Sequence, residues 1–188
     1  MNAFLRVVWL VVPVLAAGVV HVVILRVDAL RALDIPLDAG RTWHGRPVLG
    51  TNKTWRGVAV MACTSAAVMQ MQAALARRSP AIARLTAVDF SRVNPLAAGT
   101  IYGLGYTIGE LPNSFVKRRL GIPPGRQGGF ARLQYLIDQL DSVVGCLLAL
   151  RLFYRPTHGE VAGTVALGAS LHVAIDASLY LIGVKRRR

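Results

Sequence analysis

The sequence predicts an all-α integral membrane protein that forms a single domain over residues 1–188. Apolar residues make up 54% of the chain, charged residues only 16%, and the mean hydropathy is +0.47. An ordinary soluble domain has about a quarter of its residues charged. Because a hydrocarbon core of about 30 Å needs about 20 helical residues, several apolar segments are long enough to cross a bilayer. We therefore expect about five transmembrane helices.

The five predicted spans are residues 4–25, 58–75, 95–111, 133–153 and 161–182. The first continues past Ala16, Ala17 and Gly18, too far for the short apolar region of a cleaved signal peptide, so we expect it to be retained. Cys63 and Cys146 lie in separate apolar segments without metal-ligand spacing. We interpret them as small core residues rather than as a disulfide or zinc pair.

The distribution of basic residues predicts the orientation. With five spans, the segments 26–56, 117–132 and 185–188 share one side and hold fifteen Lys and Arg, whereas the other side holds seven. The positive-inside rule places the fifteen in the cytoplasm, with the N-terminus outside and the C-terminus cytoplasmic. The net charge of +13 then fits anionic lipid headgroups. We expect no nucleic-acid partner, because no soluble module remains to bind one.

The first connection, between spans one and two, ends in a polar motif. Residues 26–50 are either a partly helical segment at the membrane interface or a plain loop. Residues 50–57 then read Gly-Thr-Asn-Lys-Thr-Trp-Arg-Gly. Two cations, two hydroxyls and an amide beside a helix N-terminus favour an anion site. The alternative is a basic flank with Trp55 in the aromatic belt.

Span three combines small residues with a carboxylate at its end. Gly99 and Gly103, and then Gly105 and Gly109, are each four residues apart, a spacing that predicts close helix packing. Glu110 follows at the negative end of the helix dipole, which indicates a bound metal or a salt bridge to Lys117 or Arg118. We expect Pro112 to end the helix.

Span four contains the strongest single signal, Asp138 and Asp141. Their spacing places both on one helix face within an apolar run, where an uncompensated charge costs about 2.5–3.5 kcal/mol. Carboxylates with water and phosphate oxygens suit Mg²⁺. The alternative is that they pair with Arg132 or another arginine, or lie near the helix start.

Two histidines in the spans have structural interpretations. His172 and Asp176 are four apart on the last span, where they either tie helices together or relay protons. We interpret His21 as a neutral packing residue. No serine or cysteine has the surroundings of a catalytic nucleophile.

Three motifs in order carry a family resemblance: Asn-Lys-Thr-Trp-Arg-Gly at 52–57, Asn-Ser-Phe-Val-Lys-Arg-Arg-Leu-Gly-Ile-Pro-Pro-Gly at 113–125, and Leu-Ile-Asp-Gln-Leu-Asp at 136–141. Together they resemble the CDP-archaeol synthase family, which is related to the CDP-diacylglycerol synthases. Compared with the latter, the chain has Ile-Pro-Pro at 122–124 where a Lys-Asp is expected, and Gln-Gly-Gly at 127–129 in place of His-Gly-Gly. Glu110 is our candidate for the metal ligand this leaves unassigned.

The resemblance implies a cytidylyltransferase-like domain that moves CMP from CTP to a lipid phosphate, using Mg²⁺, in the cell (inner) membrane, with its active site at the cytoplasmic face. The expected metal ligands are Asp138, Asp141 and Glu110. The expected phosphate-binding residues are Lys53, Arg56, Lys117, Arg118 and Arg119, with neutral donors Asn52, Thr54, Asn113 and Ser114. Two alternatives remain at this point, a CTP-dependent polyprenol or lipid kinase and a non-enzymatic transporter or scaffold. The lipid and the oligomeric state are left open.

Overall fold

The computed structural model describes residues 3–124, 126 and 131–181, without the side chains of residues 131, 132, 172 and 175–181. These residues form a bundle of long α-helices with one short α-helix, one 3-10 helix (Arg31–Leu33) and one hairpin. The helices are α1 (Ala3–Arg26), α2 (Trp55–Arg78), α3 (Pro80–Leu85), α4 (Pro95–Arg119), α5 (Ala131–Leu150) and α6 (His158–Leu181), and the hairpin strands are β1 (Thr42–Trp43) and β2 (Arg46–Pro47).

The helical membrane class is confirmed. Among the described residues, α1, α2 and residues 133–150 of α5 are long and apolar enough to cross a membrane. Helix α4 is long enough, but its glycines, tyrosines and Glu110 lower its mean hydropathy. The count of five spans and the orientation stay predictions. The basic tail at 185–188 and the side chains of His172 and Asp176 lie outside the described residues.

Helix α4 lies at the centre of the bundle and packs against both α2 and α5. Gly99 and Gly103 face α2, since a Cβ on Gly99 would lie 2.5 Å from the Cα of Ala66. Gly105 and Gly109 face α5, where Gly145 provides a third small residue at the contact. The predicted close packing is therefore confirmed, with one glycine pair for each neighbouring helix.

Polar side chains of α2 donate hydrogen bonds to backbone carbonyls of α1 near Pro13. Pro13 lies inside α1 and has no N–H, so the carbonyl of Trp9 lacks its helical donor. The side-chain amide of Gln72 donates to that carbonyl at 2.7 Å, and the Ser65 hydroxyl donates to the Pro13 carbonyl at 3.4 Å. Apolar surroundings make such donors valuable, because no water is available to replace them.

Helix α4 does not end at Pro112, and that prediction was wrong. The helix continues through Pro112 to Arg119, and a Schellman motif ends it. Gly121 has a φ of +74°, its N–H donates to the Arg118 carbonyl at 3.1 Å, and the Ile122 N–H donates to the Lys117 carbonyl at 2.9 Å. A proline inside a helix removes one hydrogen bond, and the contacts that α4 makes on both sides of Pro112 compensate for it.

The first connection, residues 27–54, is an ordered structure built on buried charges. Asp38 accepts backbone N–H groups from Gly40, Leu49 and Gly50 at 2.8–3.0 Å. Burial alone would raise the pKa of Asp38, but these three donors outweigh it and lower the pKa below its ordinary value. At the hairpin turn, His44 and Gly45 both have positive φ, as a two-residue type I′ turn requires.

Candidate active site

The first connection and the C-terminal end of α4 lie at the same end of the bundle and contact each other. The Lys53 amine, just before α2, pairs with the Glu110 carboxylate on α4. Arg46 of the hairpin donates to the Arg119 carbonyl at the end of α4. The first connection therefore covers the end of α4 from which Lys117, Arg118 and Arg119 extend.

One face of α4 carries the polar side chains of the site. Glu110, Asn113, Ser114 and Lys117 have the spacing i, i+3, i+4 and i+7, so they lie along a single stripe. This stripe exists because α4 continues past Pro112. Had the helix ended there, Asn113 and Lys117 would have left the surface that faces α5.

Asn113 joins the two aspartates of α5. Its Nδ2 donates to Asp138 Oδ1 and to Asp141 Oδ2, both at 2.7 Å. The remaining Asp141 oxygen accepts the Ser142 N–H at 2.6 Å, and the Lys117 amine pairs with Asp138. The amide thus holds two like charges side by side with their oxygens oriented toward α4.

We call Lys53, Glu110, Asn113, Lys117, Asp138 and Asp141 the carboxylate cluster. It contains three carboxylates and two ammonium groups, so a negative charge remains to attract a cation. The side chains of Lys53, Glu110, Lys117 and Asp138 are 19%, 24%, 15% and 28% exposed. These side chains are therefore largely shielded but still partly accessible to solvent.

Arg118 points away from this cluster toward the first connection. It is 5% exposed, and within the described part of the chain its Nε and one terminal nitrogen have no hydrogen-bond acceptor. A Cβ on Gly50 would lie 3.5 Å from Arg118 Nε, so the guanidinium packs on the loop that precedes α2. A buried cation with unused donors is suited to an anion.

The other predicted phosphate ligands have partners in the protein. Arg56 is buried and pairs with Asp34 at 2.9 Å and Asp28 at 3.3 Å. Arg119 donates to the carbonyls of Trp43, Arg46 and Pro47, and its guanidinium lies 5.1 Å from the Phe115 ring. The assignment of Arg56 and Arg119 to substrate stays a prediction.

The neutral donors differ in their surroundings. The Thr54 hydroxyl caps α2 by accepting the Gly57 N–H at 3.4 Å, Asn52 is exposed, and Ser114 is buried. The His21 ring packs against Gly57, as a packing histidine would.

The sequence analysis did not identify Asp28, Asp34 and Asp38 as charge partners. Three aspartates in one turn-rich connection are a recognisable signal of such partners.

The fold and this site define a polytopic helical membrane protein with a polar cluster of carboxylates and cations at one end of the bundle. A family model described as CarS-like CDP-archaeol synthase matches residues 1–187. The CDP-archaeol synthase of Halobacterium salinarum is 38% identical over 156 residues, 80% of this chain and 81% of that protein. That of Hyperthermus butylicus is 33% identical over 155 residues, 82% and 77% of the two chains.

A solved structure described as an intramembrane enzyme for archaeal membrane lipid biosynthesis has a similar fold. It superposes with a TM-score of 0.63 and 27% identity, covering 90% of this chain and 92% of that one. This chain belongs to the CDP-archaeol synthase family.

The residues present fit a magnesium ion. Mg²⁺ is commonly held by one or two carboxylates together with water and substrate phosphates, and Asp138 and Asp141 form such a pair. Within the described ranges no group of three or more His, Cys, Asp and Glu side chains is gathered to hold a metal. Glu110 pairs with Lys53 instead, so its role as a further ligand stays a prediction.

Proposed function

We propose that this chain transfers CMP from CTP to a lipid phosphate and releases pyrophosphate, with Mg²⁺ held by Asp138 and Asp141, at the cytoplasmic face of the cell membrane. The observation that carries this proposal is the Asn113 bridge between two carboxylates opposite Lys117. Family membership supports the reaction, and the excess of basic residues at 26–56 and 117–132 supports the membrane face.

The reaction joins two anions, so the main work is to neutralise charge and to position the reactants. A phosphate monoester has a second pKa of about 6 and is largely dianionic at neutral pH, so its oxygen needs no strong base. This oxygen attacks the α-phosphorus of CTP as the bond to the pyrophosphate oxygen breaks. A bound Mg²⁺ would supply charge neutralisation on the phosphate oxygens.

The residues of the cluster have separate tasks. Lys53 and Lys117 are compact, flexible cations that can exchange a carboxylate partner for a phosphate. Arg118 offers the unused donors of a fixed guanidinium to a second phosphate. Asn113 keeps Asp138 and Asp141 oriented without adding charge.

The position of radiolabel in the product tests the reaction. Purified protein is incubated with a lipid phosphate and CTP labelled at either the α- or the γ-phosphorus. We expect the α-label in lipid and the γ-label in pyrophosphate, and we expect chelation of Mg²⁺ to stop transfer. A γ-label in lipid would make the protein a kinase, and no lipid-dependent pyrophosphate release would favour the transporter.

A panel of acceptors identifies the lipid. Lipid phosphates with ether-linked isoprenoid chains, diacyl chains or a single chain are compared at equal surface density, each with CTP and with dCTP.

The metal assignment is tested with Asp141→Asn, and Asp89→Asn, at the opposite end of the bundle, serves as its charge-matched control. If both variants lose activity equally, the metal assignment is wrong.

A further inference from the structure

The end of the bundle opposite the carboxylate cluster is also strongly basic. It is formed by the start of α1, the end of α2, α3, the start of α4, the end of α5 and the start of α6. Its segments contact each other: the Trp9 indole donates to the Thr86 hydroxyl at 3.2 Å, and Arg6 pairs with Glu160 at 3.3 Å. Its cations are Arg6, Arg77, Arg78, Arg84, Arg92, Arg151 and Arg155, and its acids are Asp89 and Glu160.

Both acids at this end are already engaged. Asp89 pairs with Arg92 at 3.4 Å and accepts the Ser91 hydroxyl at 2.6 Å. Glu160 pairs with Arg6 and accepts the Tyr154 hydroxyl at 2.8 Å. In the described part of the chain, five exposed arginines are therefore left without a carboxylate partner: Arg77, Arg78, Arg84, Arg151 and Arg155. This end carries a positive charge that the protein itself does not neutralise.

Two of these arginines share a concave pocket. Arg151, Arg155, Pro156 and His158 line it, between the end of α5 and the start of α6. Arginine presents a planar set of donors that matches phosphate oxygens. The pocket therefore combines a recess with two cations suited to one phosphate.

Two exposed leucines lie next to Arg151 in the chain. Leu148, near the end of α5, is 64% exposed, and Leu152, in the turn that follows α5, is 75% exposed. Exposed leucines at the end of a membrane helix indicate contact with lipid chains. A ligand with a phosphate at Arg151 and Arg155 and a hydrocarbon chain along the two leucines would use both features.

We propose that Arg151 and Arg155 bind the phosphate of an anionic phospholipid in the leaflet opposite the carboxylate cluster, with one lipid chain against Leu148 and Leu152. This site does not depend on the proposed transferase reaction. It lies at the other end of the bundle and uses none of the residues assigned to CTP or to the lipid substrate. The attraction of arginines near a membrane surface to anionic headgroups supplies the driving force.

Thermal unfolding of the full chain in a neutral detergent tests the proposal. Ligands that bind the folded state raise its Tm. We expect phosphatidylglycerol to raise the Tm, with smaller effects from phosphatidylcholine, which is neutral overall, and from inorganic phosphate, which has no chain. In the Arg151→Gln/Arg155→Gln variant the rise should fall by about half or more.

A matched variant separates a site from general charge. Arg77→Gln/Arg78→Gln removes the same charge from the same end and should keep the wild-type rise. Native mass spectrometry should show fewer bound phosphatidylglycerol molecules on the Arg151/Arg155 variant only, and its CTP turnover in detergent should be unchanged. Equal losses in both double variants, no loss in either, or an equal rise with inorganic phosphate or phosphatidylcholine would overturn the proposal.

Discussion

Lys53 lies just before α2 and Arg56 lies in its first turn, yet the two cations have different partners. Lys53 faces α4 and pairs with Glu110 in the carboxylate cluster. Arg56 faces the first connection, where Asp28, Asp34 and the Ala29 carbonyl surround its guanidinium. The end of α4 repeats the contrast, because Lys117 pairs with Asp138 whereas Arg119 holds three carbonyls of the hairpin.

The two lysines and these two arginines therefore differ in how easily each can leave its protein partners and bind another group. Each lysine has one carboxylate partner, so a phosphate can replace it. Arg56 and Arg119 each contact three acceptors at fixed positions, and releasing either would leave several groups unpaired. We infer that the carboxylate cluster determines activity. The contacts of Arg56 and Arg119 determine whether the first connection folds over the end of α4. Substitutions in the two regions should separate turnover from stability.

The largest effect is expected for Asp141→Asn in the carboxylate cluster. Turnover at saturating CTP should fall by about 10³-fold, because the proposed site loses one of the two charges assigned to the metal. The Tm in detergent should stay close to that of the wild type, since the amide keeps an oxygen for Asn113. Wild-type turnover in this variant would remove Asp141 from the site.

Lys117→Gln should have the next largest effect. We expect kcat/KM for CTP to fall by about 10²-fold, because the ammonium that we assign to the CTP phosphates is lost. Steady-state kinetics with labelled CTP measures it, and Arg84→Gln at the opposite end is the control for a change in net charge. A loss of Tm comparable with that of an Arg56 variant would show that Lys117 is structural and would break the contrast.

Arg56→Gln should reduce stability more than turnover. Removing one member of a buried ion pair costs about 3–5 kcal/mol, and the half-exposed partners Asp28 and Asp34 reduce this to about 1–2 kcal/mol of unfolding free energy. Denaturant or thermal unfolding measures it, and Arg41→Gln, exposed in the same connection, is the control. Normal stability with a large loss in CTP affinity would instead make Arg56 a substrate ligand.

The smallest effect is a pH dependence at Asp38. The pKa of Asp38 is lowered in the folded state, so the contribution of Asp38 to stability is complete above the ordinary pKa of an aspartate, which is about 4. That contribution is lost as the pH falls through the lowered value. Between about pH 6 and pH 3 the Tm of Asp38→Asn should fall less than that of the wild type. Parallel pH profiles would show that its three N–H contacts add nothing.

Much of the architecture was predictable because hydrophobic length and small-residue spacing act locally. The membrane helices follow from the apolar runs, and both glycine pairs of α4 lie at helix contacts as expected. The end of α4 was predicted wrongly, since Pro112 is a helix breaker only when no packing compensates for it. Gly121, followed by prolines at 123 and 124, was the better stop signal.

The residues of the site could be predicted from the sequence, but the contacts between their side chains could not. Asp138 and Asp141 could be identified because charges in an apolar helix need partners. The Asn113 bridge could not, because it depends on α4 remaining helical after Pro112. The burial of Arg56 depends on how the first connection folds back, and short-range patterns do not encode that path.

The contact between Gly109 and Gly145 restricts the routes into the enzyme. A Cβ on Gly109 would lie 2.5 Å from the Asp141 carbonyl oxygen and 2.8 Å from the Gly145 Cα, so the backbones of α4 and α5 touch just below the aspartates. No hydrocarbon chain can pass between the two helices at this crossing. If the proposed lipid substrate brings its phosphate to Asp138 and Asp141, its chains must lie in another gap between helices, so two residues without side chains close one of the possible routes.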